Sequence, residues 1–148
     1  MTTHEETAER LLQLERAALD RWGAGDPEGF LETYAVNVTY FDPVTAARVD
    51  GHDAMREYYR PWIGKIKVDR YEILHPNVIV TEGIGLLTYN LVNFIRNEDG
   101  TERLLNRWNS TTVYQRLDTA WKIIHSHWSF TQPALAASGV NTDAGLMA

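Results

Sequence analysis

Asp42 is the carboxylate best placed for chemistry in this chain. It ends the segment Asn37-Val38-Thr39-Tyr40-Phe41-Asp42 and is followed by Pro43, so an acid stands at the end of an apolar, aromatic stretch. In a desolvated pocket a carboxylate works as a general base, because burial disfavours its charge and brings its basicity toward neutral pH. The same Asp-Pro pair also serves as a simple turn. Tyr40, Tyr58, Asn90 and Trp108 put polar tips on side chains suited to a pocket wall, and could orient a ligand there. We therefore expect Asp42 and Tyr40 to be catalytic, and Trp22, Tyr58, Trp62, Asn90, Trp108 and Trp128 to bind ligand.

His125 and His127 lie two residues apart on one strand face, a spacing that two metal ligands can use. The sequence places no third ligand, His75 or a carboxylate, beside them, so no metal site is expected and the pair reads as structural or interfacial. Glu82-Gly83-Ile84-Gly85 does not continue into a dinucleotide-binding fingerprint, and no P-loop, G-x-S-x-G or H-E-x-x-H motif occurs. No cofactor is expected.

The elements that must carry these residues follow from periodicity. Thr3 and Glu6 form a capping box opening a helix over 3–22, with Leu11, Leu14, Ala18 and Trp22 on one stripe and Gly23 and Gly25 ending it. Asp26-Pro27 starts a short helix that ends near Ala35, with Asp as N-cap. A strand over Asn37–Asp42 and a third helix over 52–60, limited by Pro61, follow. Then come strands at Ile66–Leu74, broken by His75-Pro76 and resumed at Val78–Thr81, at Ile84–Arg96, at Glu102–Arg116 and at Trp121–Thr131. Their short connections predict antiparallel neighbours. Flat strands of this length would reach about 45–50 Å, so the sheet must twist and curl into a half-open cone. The expected class is α+β, three N-terminal helices packed on a strongly curved antiparallel sheet around an internal pocket.

If Asn90, Thr112 and Trp128 face that pocket, alternation brings Thr88, Val92, Trp108, Ser110, Tyr114, Ser126 and Phe130 with them. His125, His127, Trp121, Arg107 and Asn109 then lie on the opposite face.

Composition narrows the possible functions. The chain has 148 residues, 20 acidic against 14 basic, and a net charge of -6, which argues against nucleic acid as the main partner. It has no cysteine, which excludes disulfides and thiolate chemistry. No apolar run approaches the ~20 residues of a membrane span, and the polar N-terminus is unlike a signal peptide. A cytoplasmic single domain over 1–132 with a flexible tail over 133–148 is expected.

Taken together, the Gly25-Asp26-Pro27 turn, Phe41-Asp42-Pro43, Gly51-His52-Asp53, His75-Pro76-Asn77-Val78-Ile79-Val80 and the closing Trp121-Lys122-Ile123-Ile124-His125-Ser126-His127-Trp128-Ser129 resemble the nuclear transport factor 2-like superfamily. Within it the chain looks most like the SnoaL-like and calcium/calmodulin-dependent kinase II association-domain branch, over about residues 8–133. The resemblance implies a cone that self-associates through its sheet as a homodimer or larger ring, and no kinase activity. Hub domains of that branch carry pocket arginines, which here correspond to Asn90, Thr112 and Trp128. None is basic, so the resemblance implies a neutral or aromatic ligand, with Thr112 among the residues that bind it. The leading expectation is a small-molecule-binding cone for a neutral, partly apolar metabolite. Isomerisation, cyclisation or hydration are the open reactions, with Asp42 as base. The alternative is a non-catalytic oligomerisation module.

Overall fold

Thr3 begins the first helix as its spacing predicts: Glu6 N–H donates to Thr3 Oγ1 at 3.0 Å and Thr3 N–H to Glu6 Oε2 at 2.9 Å. The computed structural model describes residues 2–132, and the tail expected over 133–148 lies outside them. Helix α1 spans His4–Gly23 and buries Thr7, Leu11, Glu15, Ala18 and Leu19. Helix α2, Glu28–Thr33, has Asp26 Oδ1 accepting from Glu28 N–H at 3.0 Å. The chain then enters β1, Tyr34–Phe41, directly from the helix, three residues earlier than expected. A two-residue strand β2, Val49–Asp50, precedes α3, His52–Tyr59, and a 3₁₀ turn at Arg60–Trp62.

Four long strands complete the fold: β3 Arg70–Thr81, β4 Ile84–Arg96, β5 Glu102–Leu117 and β6 Ala120–Phe130. Strand β3 starts later than Ile66, because backbone donors just before it serve the end of α1: Gly64 N–H donates to Gly25 O and Val68 N–H to Gly23 O. His75-Pro76 does not end this strand. It forms a bulge between Leu74 and Asn77 with His75 at φ 52°, so the ladder resumes in the same strand.

The six strands form one open sheet in the order β2-β1-β6-β5-β4-β3. The hairpin-linked strands β3 to β6 are antiparallel, but β1 runs parallel to β6. The sheet is therefore mixed rather than wholly antiparallel. The chain between β1 and β6 is long enough for the crossover that a parallel pair needs. The helices pack on the concave side of the curved sheet, giving the α+β cone. Gly85 marks their closest approach, since a Cβ there would collide with Leu11 of α1.

Register corrects the expected faces on β4 and at the start of β6. Leu87, Tyr89 and Leu91 of β4 are buried against the core, whereas Thr88, Asn90 and Val92 oppose Thr111, Asn109 and Arg107 on the outer face, where Val92 too is buried. The ladder shifts between Asn93 and Phe94, leaving Leu105 as the extra residue of β5. That bulge moves β4 by one residue relative to β5, so Asn90 does not share the inner face with Thr112 as the hub correspondence implies. The inner placement of Trp108, Ser110, Thr112, Tyr114, Ser126 and Trp128 agrees with expectation. Trp121 does not lie outside: a second shift, at Ile124, reverses parity, and Trp121 packs against the core.

Candidate functional site

Asp42 leaves β1 at the rim of the concave side, and its carboxylate is ringed by donors. Oδ1 accepts from the backbone N–H of Val44 at 2.8 Å and of Thr45 at 3.1 Å. Oδ2 accepts the Tyr40 hydroxyl at 2.9 Å. The Tyr58 hydroxyl lies 2.7 Å from both oxygens, so its single proton is shared between them. Four donors against about four lone-pair sites leave the carboxylate satisfied in the free protein. Burial holds the Tyr40 phenol well above the ordinary range, and burial together with its bond to Asp42 does the same for Tyr58. Both are therefore donors at any working pH. Tyr34 and Tyr59 continue the polar line behind them, with hydroxyls 2.7 Å apart.

Asp42 borders a hollow of about 520 Å³ whose walls include Trp22, Tyr40, Trp62, Trp108, Trp128 and Phe130. This volume lies within the usual range for small-molecule sites. The walls are rings packed edge to face: Trp22 and Trp62 centroids are 6.2 Å apart at 84°, and Trp108 and Trp128 are 5.9 Å apart at 88°. Such contacts lock the rings and keep the cavity from collapsing onto itself. A larger depression, of about 740 Å³, lies between α2, α3 and the β1 edge. It is an open trough whose Arg56 is already engaged by Glu28 at 2.9 Å through both guanidinium nitrogens, and whose Lys122 donates to Glu32 O. The aromatic hollow is the better candidate because its surface is mainly apolar, its walls are rich in aromatic rings and Asp42 borders it.

The expected site residues divide into three groups. Trp22, Tyr40, Asp42, Trp62, Trp108 and Trp128 come together around the hollow, and Tyr58 joins them through Asp42. Thr112 is fully buried behind the wall, its hydroxyl 3.4 Å from Glu15 Oε2. Asn90 is excluded from the hollow by the register shift. Its Nδ2 donates to Asn109 Oδ1 at 2.7 Å on the outer face.

Two features escape a reading by pattern. Glu15 is fully buried in α1 and accepts the Tyr89 hydroxyl at 2.5 Å and the Tyr114 hydroxyl at 2.6 Å. Burial raises its pKa, and the hydroxyl donors partly oppose that shift. The available signal was its position four residues after Leu11 and three before Ala18, on the apolar stripe. The second is a pair of amides in the wall, Asn93 and Asn106, directly opposite each other on β4 and β5.

On the outer face His125 Nδ1 lies 2.7 Å from Thr39 Oγ1, and Phe41 packs beside both His125 and His127. Among the described residues no group of three metal-ligating side chains comes together. Burial, and secondarily the nearby His127, lowers the His125 pKa. Among the described residues no helix is long and apolar enough to cross a membrane.

The fold recurs in solved structures. A Parabacteroides distasonis protein provisionally described as a ketosteroid isomerase is 31% identical, with a TM-score of 0.75 over 90% of this chain and 94% of that one. The association domain of C. elegans CaMKII is 19% identical, with a TM-score of 0.71 over 84% of this chain and 96% of that one. A Pseudomonas putida NTF2-like protein of unknown function is 21% identical, with a TM-score of 0.71 over 86% of this chain and 89% of that one. Among curated proteins none matches. The profile of the calcium/calmodulin dependent protein kinase II association domain spans residues 7–133, and a match over that length makes this chain a member of that family, within the nuclear transport factor 2-like superfamily.

Proposed function

We propose that this protein binds a neutral, partly apolar small molecule in the aromatic hollow, and that Asp42 and Tyr40 act on it. The observation that carries the reading is the approach of one carboxylate and two phenols to an apolar cavity of about 520 Å³. Asp42 is the only carboxylate in that wall among the described residues. It is the general base for an isomerisation, cyclisation or hydration, taking a proton from substrate carbon or from water. Its lone pairs are occupied in the free protein. Tyr58 shares one proton between both oxygens and so holds the weakest claim on either. A substrate that displaces Tyr58 frees a lone pair while Tyr40 keeps the carboxylate aimed. The 31% identical structure provisionally described as a ketosteroid isomerase supports acid–base chemistry at such a site.

The test is a melting-temperature screen of the protein against steroid-like, terpenoid and aromatic compounds, followed by turnover assays on every hit. We expect stabilisation by at least one class and, for any compound converted, loss of turnover in Asp42→Asn with binding retained. A screen without a single shift would remove the binding reading. Turnover unaffected by Asp42→Asn would remove the base.

A second reading is self-association through the outer face of the sheet. Arg107, Asn109 and His127 are exposed there, beside half-buried Asn90, Thr111 and His125, and membership of an association-domain family supports it. A polar and aromatic face of this kind is self-complementary about a two-fold axis. Solution mass at micromolar concentration decides: a homodimer or larger ring is expected, and a monomer rules it out.

A further inference from the structure

Among the described residues, Asn93 and Asn106 are the two side-chain amides in the wall of a mainly aromatic and aliphatic hollow. Asn93 is 6% exposed and Asn106 half-buried, both line the cavity, and Asn93 Nδ2 donates to Asn106 Oδ1 at 2.9 Å. One amide–amide bond uses one carbonyl and one N–H. It therefore leaves the whole carbonyl of one side chain and the whole amino group of the other outside the bond, and exchanging the oxygen and nitrogen of both amides leaves the same count. Among the described residues Ser110 Oγ is the one side-chain polar atom both sealed and unpartnered. The spare carbonyl of Asn93 is therefore open, and with so little surface exposed its opening is to the hollow. The neighbours of the pair along this wall are Leu91, Ile95, Leu105 and Trp108. Strands disfavour Asn, and apolar side chains would pack this wall without leaving unmet hydrogen bonds.

We infer that the ligand of this hollow carries a carboxamide or lactam edge on a planar apolar body, the edge being read by Asn93 and Asn106 while the tryptophans hold the body. This rests on the binding reading above and narrows it. An amide edge offers one donor and one acceptor side by side, complementary to the carbonyl and the amino group that the internal bond leaves unused. A carboxylate offers acceptors only and would leave the Asn93 carbonyl facing lone pairs. Lys65 and Lys67 also border the hollow, but Lys67 is 68% exposed and 3.9 Å from Asp69, so its charge is largely spent in solvent. A site that hydrogen-bonds its ligand discriminates against analogues lacking those groups far more strongly than an apolar pocket discriminates by shape.

Equilibrium dialysis of the full chain against 2-naphthamide, 2-ethylnaphthalene and 2-naphthoate tests this. We expect 2-naphthamide to be held about tenfold or more tightly than the hydrocarbon of similar shape. The double variant Asn93→Leu with Asn106→Leu should bring the two within about twofold, since no side-chain amide then remains in this wall. Asn93→Asp, nearly identical in volume, should cut the amide preference in the same direction should the leucine variant fail to fold, as judged by near-ultraviolet circular dichroism. No binding of any naphthyl probe would overturn the hollow as a binding site, and this inference with it. Equal binding of amide and hydrocarbon, or a preference that survives both variants, would overturn the amide reading alone. Tightest binding of 2-naphthoate would overturn it in favour of an anion held by the lysines.

Discussion

Tyr114 donates its hydroxyl to Glu15 Oε1 at 2.6 Å, joining the first helix to the fifth strand across 99 positions of chain. Tyr89 reaches the other oxygen at 2.5 Å. The contact fixes how α1 lies on the sheet, and it makes a buried carboxyl part of the helix–sheet interface.

That carboxyl makes stability depend on pH. Burial raises the Glu15 pKa above 4.5 in the folded protein, so the folded state holds a proton that the unfolded chain releases. Its stabilising contribution is complete below about 4.5 and is lost as pH rises through the raised folded value. Urea unfolding from pH 4 to 9 should show Glu15→Gln gaining stability over the natural chain as pH rises. Parallel curves would sink the claim. Glu15→Leu should instead lose about 2–4 kcal/mol near pH 4, because two buried phenols are left without an acceptor, and the loss should shrink as pH rises.

Tyr40 and Tyr58 share one acceptor, so their contributions are coupled. Each Phe substitution should cost about 1–2 kcal/mol, the larger for Tyr40 because it is 4% exposed. The double variant should cost more than the sum, since the carboxylate then keeps only its two backbone donors. Additive values from a denaturation cycle would contradict a shared carboxylate.

Gly85 is required by contact rather than by backbone conformation. Any Cβ at this position meets Leu11, which is itself fully buried. Gly85→Ala should destabilise by about 1–3 kcal/mol, and Leu11→Ala combined with it should cost less than the two separately. A melting temperature unchanged in Gly85→Ala would refute the close approach.

His125 should make the protein sensitive to mild acid. Its pKa lies below 6.5 because of burial and, to a lesser degree, His127, so the unfolded chain takes up the proton first. The stability it contributes is present above about 6.5 and lost as pH falls through its lowered folded value. His125→Gln should flatten the stability curve between about pH 7 and 5, and an unchanged slope there would refute it.

Thr111 lies mid-way on the outer face, between Thr88 and His127. Under the association reading, Thr111→Arg should convert the natural oligomer to monomer at micromolar concentration in sedimentation, with near-ultraviolet circular dichroism unchanged. An oligomer of the same mass would place the interface elsewhere.

Much of the site could be read in advance where the determinants are local. The Thr3–Glu6 box, the bounds of β4 and the turn after Asp42 depend on neighbours within a few residues, and all match. The tryptophans and Asp42 were identifiable because large rings and an acid beside Pro43 are conspicuous in a strand-rich chain. Asn90 corresponds to a pocket position of the hub domains, but the extra residue at Leu105, which no local pattern marks, turns it to the outer face, since one residue reverses a face. Trp121 was misplaced for the same reason at Ile124. Glu15 was passed over because its acceptance on an apolar stripe depends on Tyr89, Thr112 and Tyr114, which arrive from more than seventy positions away.

Amino-acid order alone determined the elements, the α+β class and the aromatic character of the cavity, because propensities, caps and turn residues act over short distances. Tertiary structure decided the parallel pairing of β1 with β6, the face on which Asn90 lies, the four donors converging on Asp42 and the burial of Glu15. Each of these depends on register and bulges summed over whole strands, and such sums exist only once distant segments have docked.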